Sequence, residues 1–247
     1  MLELVLVGIG TGNPDHLTLQ AIKALNSADL IMIPRKGADK ADLADLRQQI
    51  CAAVVTNPAT RIAEFDLPAR DAGIADYLMR VEDWHDTIAA VWTRTIASHA
   101  GIRRVALLVW GDPSLYDSTL RIAARLTPLP KISVIPGITS MQVLTAAHAI
   151  AVNDIGAAFT VTTGRQLRTT GWPAGVNTVV VMLDGECSFT TFAPEGVTIW
   201  WAAYVGMPNQ IAISGALSQV SAQIVHARAQ ARADHGWIMD IYLLRKV

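Results

Sequence analysis

Apolar positions in the first half of the chain follow two alternating rhythms. Leu2–Val7 is a continuous apolar run closed by Gly8, as expected of a strand covered on both faces. Thr18 then offers a helix cap, with Leu19, Ile22 and Leu25 at every third position behind it. Asp29–Ile33 reads as a second strand stopped by Pro34, and Leu43, Leu46 and Ile50 mark a second helix. Arg61–Phe65 gives a third strand. Ile74, Leu78, Val81, Ile88 and Val91 give a long helix to about Ser98. Arg104–Trp110 is the clearest strand, ended by Gly111-Asp112-Pro113. A helix around Ser118–Leu126 and a strand at Lys131–Ile135 complete the series. Such alternation predicts a mostly parallel sheet flanked by helices.

The second half has a different rhythm. Phe159–Thr163, Thr178–Leu183, Val197–Tyr204 and Ile238–Leu244 are strand candidates with fewer strong helices between them. The fold class expected is therefore α/β in two domains. An N-terminal domain, 1–138, carries the mostly parallel sheet with flanking helices, and a C-terminal domain, 139–247, carries a mixed α+β sheet. The boundary falls at the turn Pro136–Ser140.

Composition narrows the function classes. Of 247 residues, 51% are hydrophobic and 17% charged, which suits a globular chain with a large core. A net charge of −1 gives no global attraction to nucleic acid or to an anionic membrane surface, so an anionic ligand needs a local cluster of Arg and Lys. Cys51 and Cys187 stand apart, with no paired-ligand spacing, so no metal site is expected. No apolar run reaches the ~18 residues of a membrane helix. The N-terminus reads as a strand and not a signal peptide, so a cytoplasmic location is expected.

The first strand runs into Gly8-Ile9-Gly10-Thr11-Gly12-Asn13-Pro14-Asp15. Glycines here let a ligand approach the backbone. The spacing is G-x-G-x-G, not the G-x-G-x-x-G of dinucleotide sites, and the second strand ends Ile33-Pro34-Arg35 without an acid for a ribose. Both departures count against a nicotinamide oxidoreductase, and the missing acid also against the common doubly wound methyltransferases. No P-loop occurs. Taken alone, the loop is equally well a tight β–α turn.

Two further turns follow strands of the first half: Trp110-Gly111-Asp112-Pro113-Ser114-Leu115-Tyr116 and Val134-Ile135-Pro136-Gly137-Ile138-Thr139-Ser140. Ligands of open α/β sheets bind outside the carboxyl ends of strands, where these turns are expected. In order and spacing the loop at Val7–Thr18, the Gly-Asp-Pro turn and the Pro-Gly-Ile-Thr-Ser turn resemble the shared motifs of the tetrapyrrole (corrin/porphyrin) methylases. The resemblance spans the chain. It implies S-adenosylmethionine as methyl donor, bound between two α/β domains, with S-adenosylhomocysteine as product and no metal. It also implies an anionic tetrapyrrole of the precorrin type as substrate, and a homodimer. Gly10, Trp110, Gly111, Asp112, Leu115, Ser140, Met141, Met182, Ala203 and Trp237 are the implied cofactor contacts. Each has a structural alternative: Asp112 can simply start its turn, Ser140 can cap a helix, and Met182 can pack in a core.

Arg35, Lys36, Arg165 and Arg168 lie near predicted loop ends and can clamp substrate carboxylates, with Arg35 and Arg165 the principal candidates. Trp84-His85-Asp86, Val181–Gly185, Ala203–Gln210 and His235–Asp240 resemble a branch of the family that couples methylation to loss of an acetyl group as acetate. That loss needs a positioned water and a stabilised oxyanion. Asp15, Tyr116 and Asp184 are the catalytic candidates, with Glu186, His16 and His85 behind them. Another methylation target, or a non-catalytic tetrapyrrole-binding module, are the alternatives on the same fold.

Overall fold

Alternate residues of the apolar runs face opposite sides of one parallel sheet. The computed structural model describes residues 1–35 and 41–246. In it β1 (Glu3–Gly8), β2 (Leu30–Arg35), β3 (Arg61–Asp66), β4 (Arg104–Val109) and β5 (Lys131–Ile135) pair in the order β3-β2-β4-β1-β5. Every pairing is parallel, with Glu3 opposite both Arg104 and Lys131. Val5, Val7, Ile31, Ile33, Ala106 and Leu108 pack against α1 (Leu19–Asn26) and α2 (Ala41–Val54). Leu4, Leu6, Leu30, Met32, Val105 and Leu107 pack on the other face against α3 (Tyr77–Ala97) and α4 (Thr119–Ala123). A strand covered on both faces has no polar side, hence the unbroken apolar runs.

The expected strands differ from β1–β4 by no more than two residues at either end, and β5 spans the residues expected. Pro34 does not stop β2. The pairing of β2 with β4 ends at Met32, while that with β3 runs on to Arg35, so proline sits past the last two-sided position. Thr18 caps α1 as expected, accepting the Ala21 N–H at 3.0 Å. The buried stripe of α1 is Ala21, Ala24 and Leu25, whereas Leu19 is 76% exposed. In α3, likewise, Leu78 is 71% exposed and the buried positions are His85, Ile88, Ala89 and Trp92. Small residues let α1 lie close to the sheet, and a search for large apolar residues passes over them.

The chain divides into two compact units, Met1–Thr139 and Ser140–Val247. The second holds a five-stranded mixed sheet of β6 (Phe159–Thr163), β7 (Thr178–Met182), β8 (Val197–Ala203), β9 (Ile211–Ala216) and β10 (Asp240–Lys246). Its order is β6-β7-β10-β8-β9, with β6 and β7 parallel and the rest antiparallel. The helices are α5 (Ser140–Ala147), α6 (Gly164–Thr170) and α7 (Leu217–His235). The expectation of few strong helices is corrected by α7, whose buried residues Leu217, Ile224 and Ala231 recur only once in two turns. So sparse a stripe carries little periodic signal. No helix among the described residues is long and apolar enough to cross a membrane.

The interior of the second unit holds a carboxylate. Asp184, 5% exposed, accepts at Oδ2 from the Tyr242 hydroxyl (2.7 Å) and the Ser188 N–H (2.5 Å). Its Oδ1 accepts from the Ser188 hydroxyl (2.8 Å), the Glu186 N–H (3.1 Å) and Arg168 (3.2 Å). Five donors fill the capacity of a carboxylate. Burial raises its pKa, but the hydrogen bonds from Tyr242, Ser188 and Glu186 outweigh it and hold the group below the usual range. Asp184 was expected as a loop acid able to hold water. Its oxygens are instead engaged in holding the β7–α6 region together, and none is left for a water.

Asp184→Ala strips acceptors from several buried donors and should lower stability by about 3 kcal/mol. The pH dependence has a definite sign. A carboxyl whose native pKa lies below its unfolded value stabilises fully above that unfolded value, ~3.9, and loses the contribution as pH falls through the native pKa. Urea midpoints measured from neutral pH down to about pH 3 should therefore fall less steeply in Asp184→Asn than in the parent protein.

Candidate active site

The carboxyl edge of the first sheet carries three turns, after β1, β4 and β5. They meet because side chains are missing where they touch. A Cβ on Gly8 would lie 2.6 Å from the Gly137 nitrogen, and one on Gly137 would lie 2.0 Å from the Gly111 carbonyl oxygen. Those neighbours are backbone atoms and cannot swing away. Gly10 and Gly111 join the first two turns by exchanging hydrogen bonds of 3.4 and 2.7 Å. Gly111 adopts φ +61°, and Thr139 is the described residue near its open side, its Cα 3.6 Å from a notional Cβ. The result is a floor of bare backbone.

Asp112 fastens that floor. Its Oδ1 accepts from the Ser114 N–H at 2.8 Å and from the Ser114 hydroxyl, and its Oδ2 accepts from the Gly137 N–H at 2.9 Å. One carboxylate thus ties the β4 turn to the β5 turn. Partial burial raises its pKa, and the bonds from Ser114 and Gly137 overcome this and lower it, so the group is ionised at neutral pH. Leu115 closes the same turn, its N–H bonding the Asp112 carbonyl at 3.2 Å. Tyr116 follows with φ 51° and is 44% exposed, and partial burial raises its pKa. Trp110, just before the floor, lies under the Arg47 guanidinium at 4.8 Å.

The other expected residues are spread more widely. Asp15 is exposed in a single turn of 3₁₀ helix, Pro14–His16, capped by Asn13. His16 Nδ1 lies 3.1 Å from the Thr11 hydroxyl, and burial lowers its pKa. His85 is 1% exposed inside the α3 face, with a pKa lowered by burial, and cannot reach solvent. Arg35 is held by Glu64, with Nη2 to Oε1 at 2.7 Å, so its charge is already matched. Arg168 is held by Asp184, Ser188 and Glu186. Lys36 lies outside the described residues. Arg165 is exposed at the start of α6.

In the second unit, Ser140 and Met141 open α5, and Met141 and Met182 both pack at the rim of the apolar cluster around Val180 and Leu243. Ala203 is fully buried at the end of β8. The Trp237 carbonyl accepts from the Tyr204 hydroxyl at 2.5 Å, and its ring meets the Tyr204 ring edge-on at 5.0 Å. No group of three His, Cys, Asp or Glu among the described residues is placed to hold a metal ion.

Sequence reasoning passed over Gly8 and Gly137 as individual residues, since only the fold shows them in contact. It also passed over Arg47, for which a signal existed. Arg47 stands four residues after Leu43 and three before Ile50, on the apolar stripe of α2, where a solvated arginine would not be placed.

Known proteins resemble this chain along its length. The family model described as Tetrapyrrole (Corrin/Porphyrin) Methylases matches residues 3–221. A precorrin-6A synthase (deacetylating) of Sinorhizobium sp is 46% identical over 251 aligned residues, covering 100% of this chain and 96% of that protein. A precorrin-2 C(20)-methyltransferase of Sinorhizobium sp is 33% identical over 146 residues, covering 57% of this chain and 55% of that one. A solved structure from Corynebacterium diphtheriae, described as cobalamin synthesis related (CobF), superposes with a TM-score of 0.84 at 41% identity, covering 100% and 99%. A uroporphyrin-III C-methyl transferase from Thermus thermophilus, complexed with S-adenyl homocysteine, superposes at 0.59 with 19% identity over 98% and 97%, a likeness of fold.

The floor yields two expectations. Asp112→Ala frees the β5 turn and should cost about 1–3 kcal/mol of stability. It should also weaken S-adenosylmethionine binding in titration calorimetry, with Asp112→Asn recovering part of the loss through its one acceptor oxygen. Gly137→Ala forces a methyl group against the Gly111 carbonyl, at about 1–3 kcal/mol or more. The same titration should show it binding S-adenosylmethionine more weakly than Gly175→Ala, whose site is open. Equal affinities would mean that the floor does not touch the cofactor.

Proposed function

The chain belongs to the tetrapyrrole (corrin/porphyrin) methylases, and from that membership we propose that it is an S-adenosylmethionine-dependent C-methyltransferase acting on precorrin-5. The reaction is methylation at ring carbon C-1 with loss of the C-20 acetyl group as acetate, giving precorrin-6A. The observation that carries this reading is the 46% identity to a deacetylating precorrin-6A synthase across the whole of this chain.

The site residues fit the cofactor. S-adenosylmethionine supplies an electrophilic sulfonium methyl when bound and leaves as S-adenosylhomocysteine. Gly111 and Gly137 offer a backbone surface on which a flat or folded ligand can lie close. Asp112, ionised, holds that surface in shape and puts negative charge beside the site of a cationic ligand. Gly10, Trp110 and Leu115 complete the contacts proposed from the first domain, 1–138. Ser140, Met141, Met182, Ala203 and Trp237 are the contacts proposed from the second, 139–247.

Arg165 is proposed to meet a carboxylate of the macrocycle. Arg35 can do so only by sharing its charge with Glu64. Asp15, exposed in its turn of 3₁₀ helix, and Tyr116, exposed in the loop after β4, are proposed as groups that hold water near the acetyl carbon. The same reading takes the enzyme as a cytoplasmic homodimer.

The test is an anaerobic reaction in which precorrin-5 is generated in situ. Acetate release followed by NMR, and formation of S-adenosylhomocysteine, should both require this protein and the methyl donor. The tetrapyrrole product should gain one methyl group and lose one acetyl group. Methyl transfer to precorrin-2 with none to precorrin-5 would move the assignment to another member of the family.

A further inference from the structure

A cavity of about 150 Å³ opens at the carboxyl ends of β2, β3 and β4, beside the glycine floor. Trp110 in its wall and Gly111 in the floor are consecutive residues. Its polar lining is unusual. Arg47 is 9% exposed, with Nε bonded to the Leu108 carbonyl at 3.3 Å and Nη1 to the Leu43 carbonyl at 3.1 Å. Nη2 has no hydrogen-bond acceptor among the described residues, nor does any carboxylate among them form an ion pair with Arg47. Burial brings its pKa down to about 10, so it is still charged at neutral pH.

The indole nitrogens of Trp110 and Trp92, two other lining residues, are buried without an acceptor among the described residues. Three groups that can only donate therefore surround one cavity, where nearly all buried polar groups find a partner. Such a set calls for a ligand that accepts hydrogen bonds. Phe65 and Ile88 supply apolar wall for a small methyl group. Asp117 is the carboxylate in the lining. One of its oxygens accepts from the Thr119 N–H at 2.6 Å, and the other accepts no hydrogen bond among the described residues. Room for a few water-sized groups is present, since each needs about 10–15 Å³ by this measure.

We propose that this cavity is a deacylation pocket that receives the acetyl group of the macrocycle, with Arg47 and the Trp110 indole N–H as oxyanion donors and Asp117 as the base for the attacking water. The inference rests on the reaction proposed above and assigns residues to its acetate-releasing half. Water adds through oxygen to the acetyl carbonyl carbon, and its proton passes to Asp117. The carbonyl π pair becomes the oxyanion facing Arg47 and Trp110. Collapse of that intermediate breaks the bond between the acetyl carbon and the ring, and the bonding pair stays with the ring, delocalised over its conjugated system. That pair matches the bond made to the incoming methyl. In sum, the acetylated ring, water and the sulfonium donor give the methylated ring, the thioether, acetate and two protons. A dry wall makes the guanidinium more effective than it would be in water.

The experiment uses the full-length protein, with Arg47→Gln, Arg47→Lys and Asp117→Asn as variants. Loss of the oxyanion donor should cut acetate release by about 10²–10³-fold in Arg47→Gln. Loss of the base should cut it by about 10²–10⁴-fold in Asp117→Asn. Arg47→Lys should recover part of the rate, and S-adenosylmethionine affinity by calorimetry should stay at the parent value in all three. Arg47→Gln and Asp117→Asn both releasing acetate within about twofold of the parent would overturn the pocket and leave the methylase reading intact. A parent protein that releases no acetate from verified precorrin-5 would overturn the reaction reading and this step together.

Binding is tested without turnover. Titration with acetate against chloride at equal ionic strength, at ~1–100 mM, should shift the Trp110 indole signal in nitrogen-15 NMR, assigned with Trp110→Phe. The shift should saturate in the parent protein and vanish in Arg47→Gln. Absence of a saturable shift in the parent would overturn the proposal even if the Arg47 variants fail to fold.

Discussion

Backbone can approach backbone closely only where no side chain stands between, and the carboxyl edge of the first sheet depends on that condition. Gly8, Gly111 and Gly137 come from three strands that are far apart in sequence and neighbours in the sheet. Parallel pairing of β1 with β4 and β5 brings their ends level, and the bare glycines let the turns close on one another. The Asp112 carboxylate then replaces water as partner for the Gly137 N–H. The floor and the neighbouring cavity both take their positions from this contact.

Two buried polar centres show how satisfaction separates structure from function. Asp184 accepts from five donors and has no capacity left, so it behaves as a strut of the second unit. Asp240 nearby is bonded by Arg228 and by the Trp201 indole N–H, yet burial still raises its pKa. Arg47 is the reverse case. It is as buried as these acids, but donors outnumber acceptors around it. Leaving a buried donor unmatched costs about 1–3 kcal/mol. A ligand that accepts hydrogen bonds would remove that cost, as an oxyanion does.

The two sites differ in how far their chemistry can be general. A floor of backbone recognises a ligand without regard to nearby side chains, and the fold that makes it recurs in solved structures of 14–20% identity. The cavity is lined instead by side chains from β2, β3, β4, α2, α3, α4 and the loop after β4. A backbone floor and a cavity of particular side chains are thus neighbours at the end of one strand.

Much of the fold was legible in the sequence because its causes are local. Strands covered on both faces read as apolar runs, glycines mark turns, and Thr18 caps the helix it precedes. Where burial falls on alanines, as in α1 and α7, or where proline sits beyond the last paired position, as in β2, the local signal weakens and the reading failed. The resemblance to a family was legible too, since its motifs are turns with fixed residue types. The state of each charge was not. Sequence marked Arg35, Arg168 and Asp184 as available for chemistry, and the tertiary structure neutralises all three with partners from other elements. It left Arg47 unmarked, and the structure buries it with no ion-paired carboxylate among the described residues. Residue type and spacing follow from the chain alone, but whether a polar group is matched depends on what distant segments bring beside it.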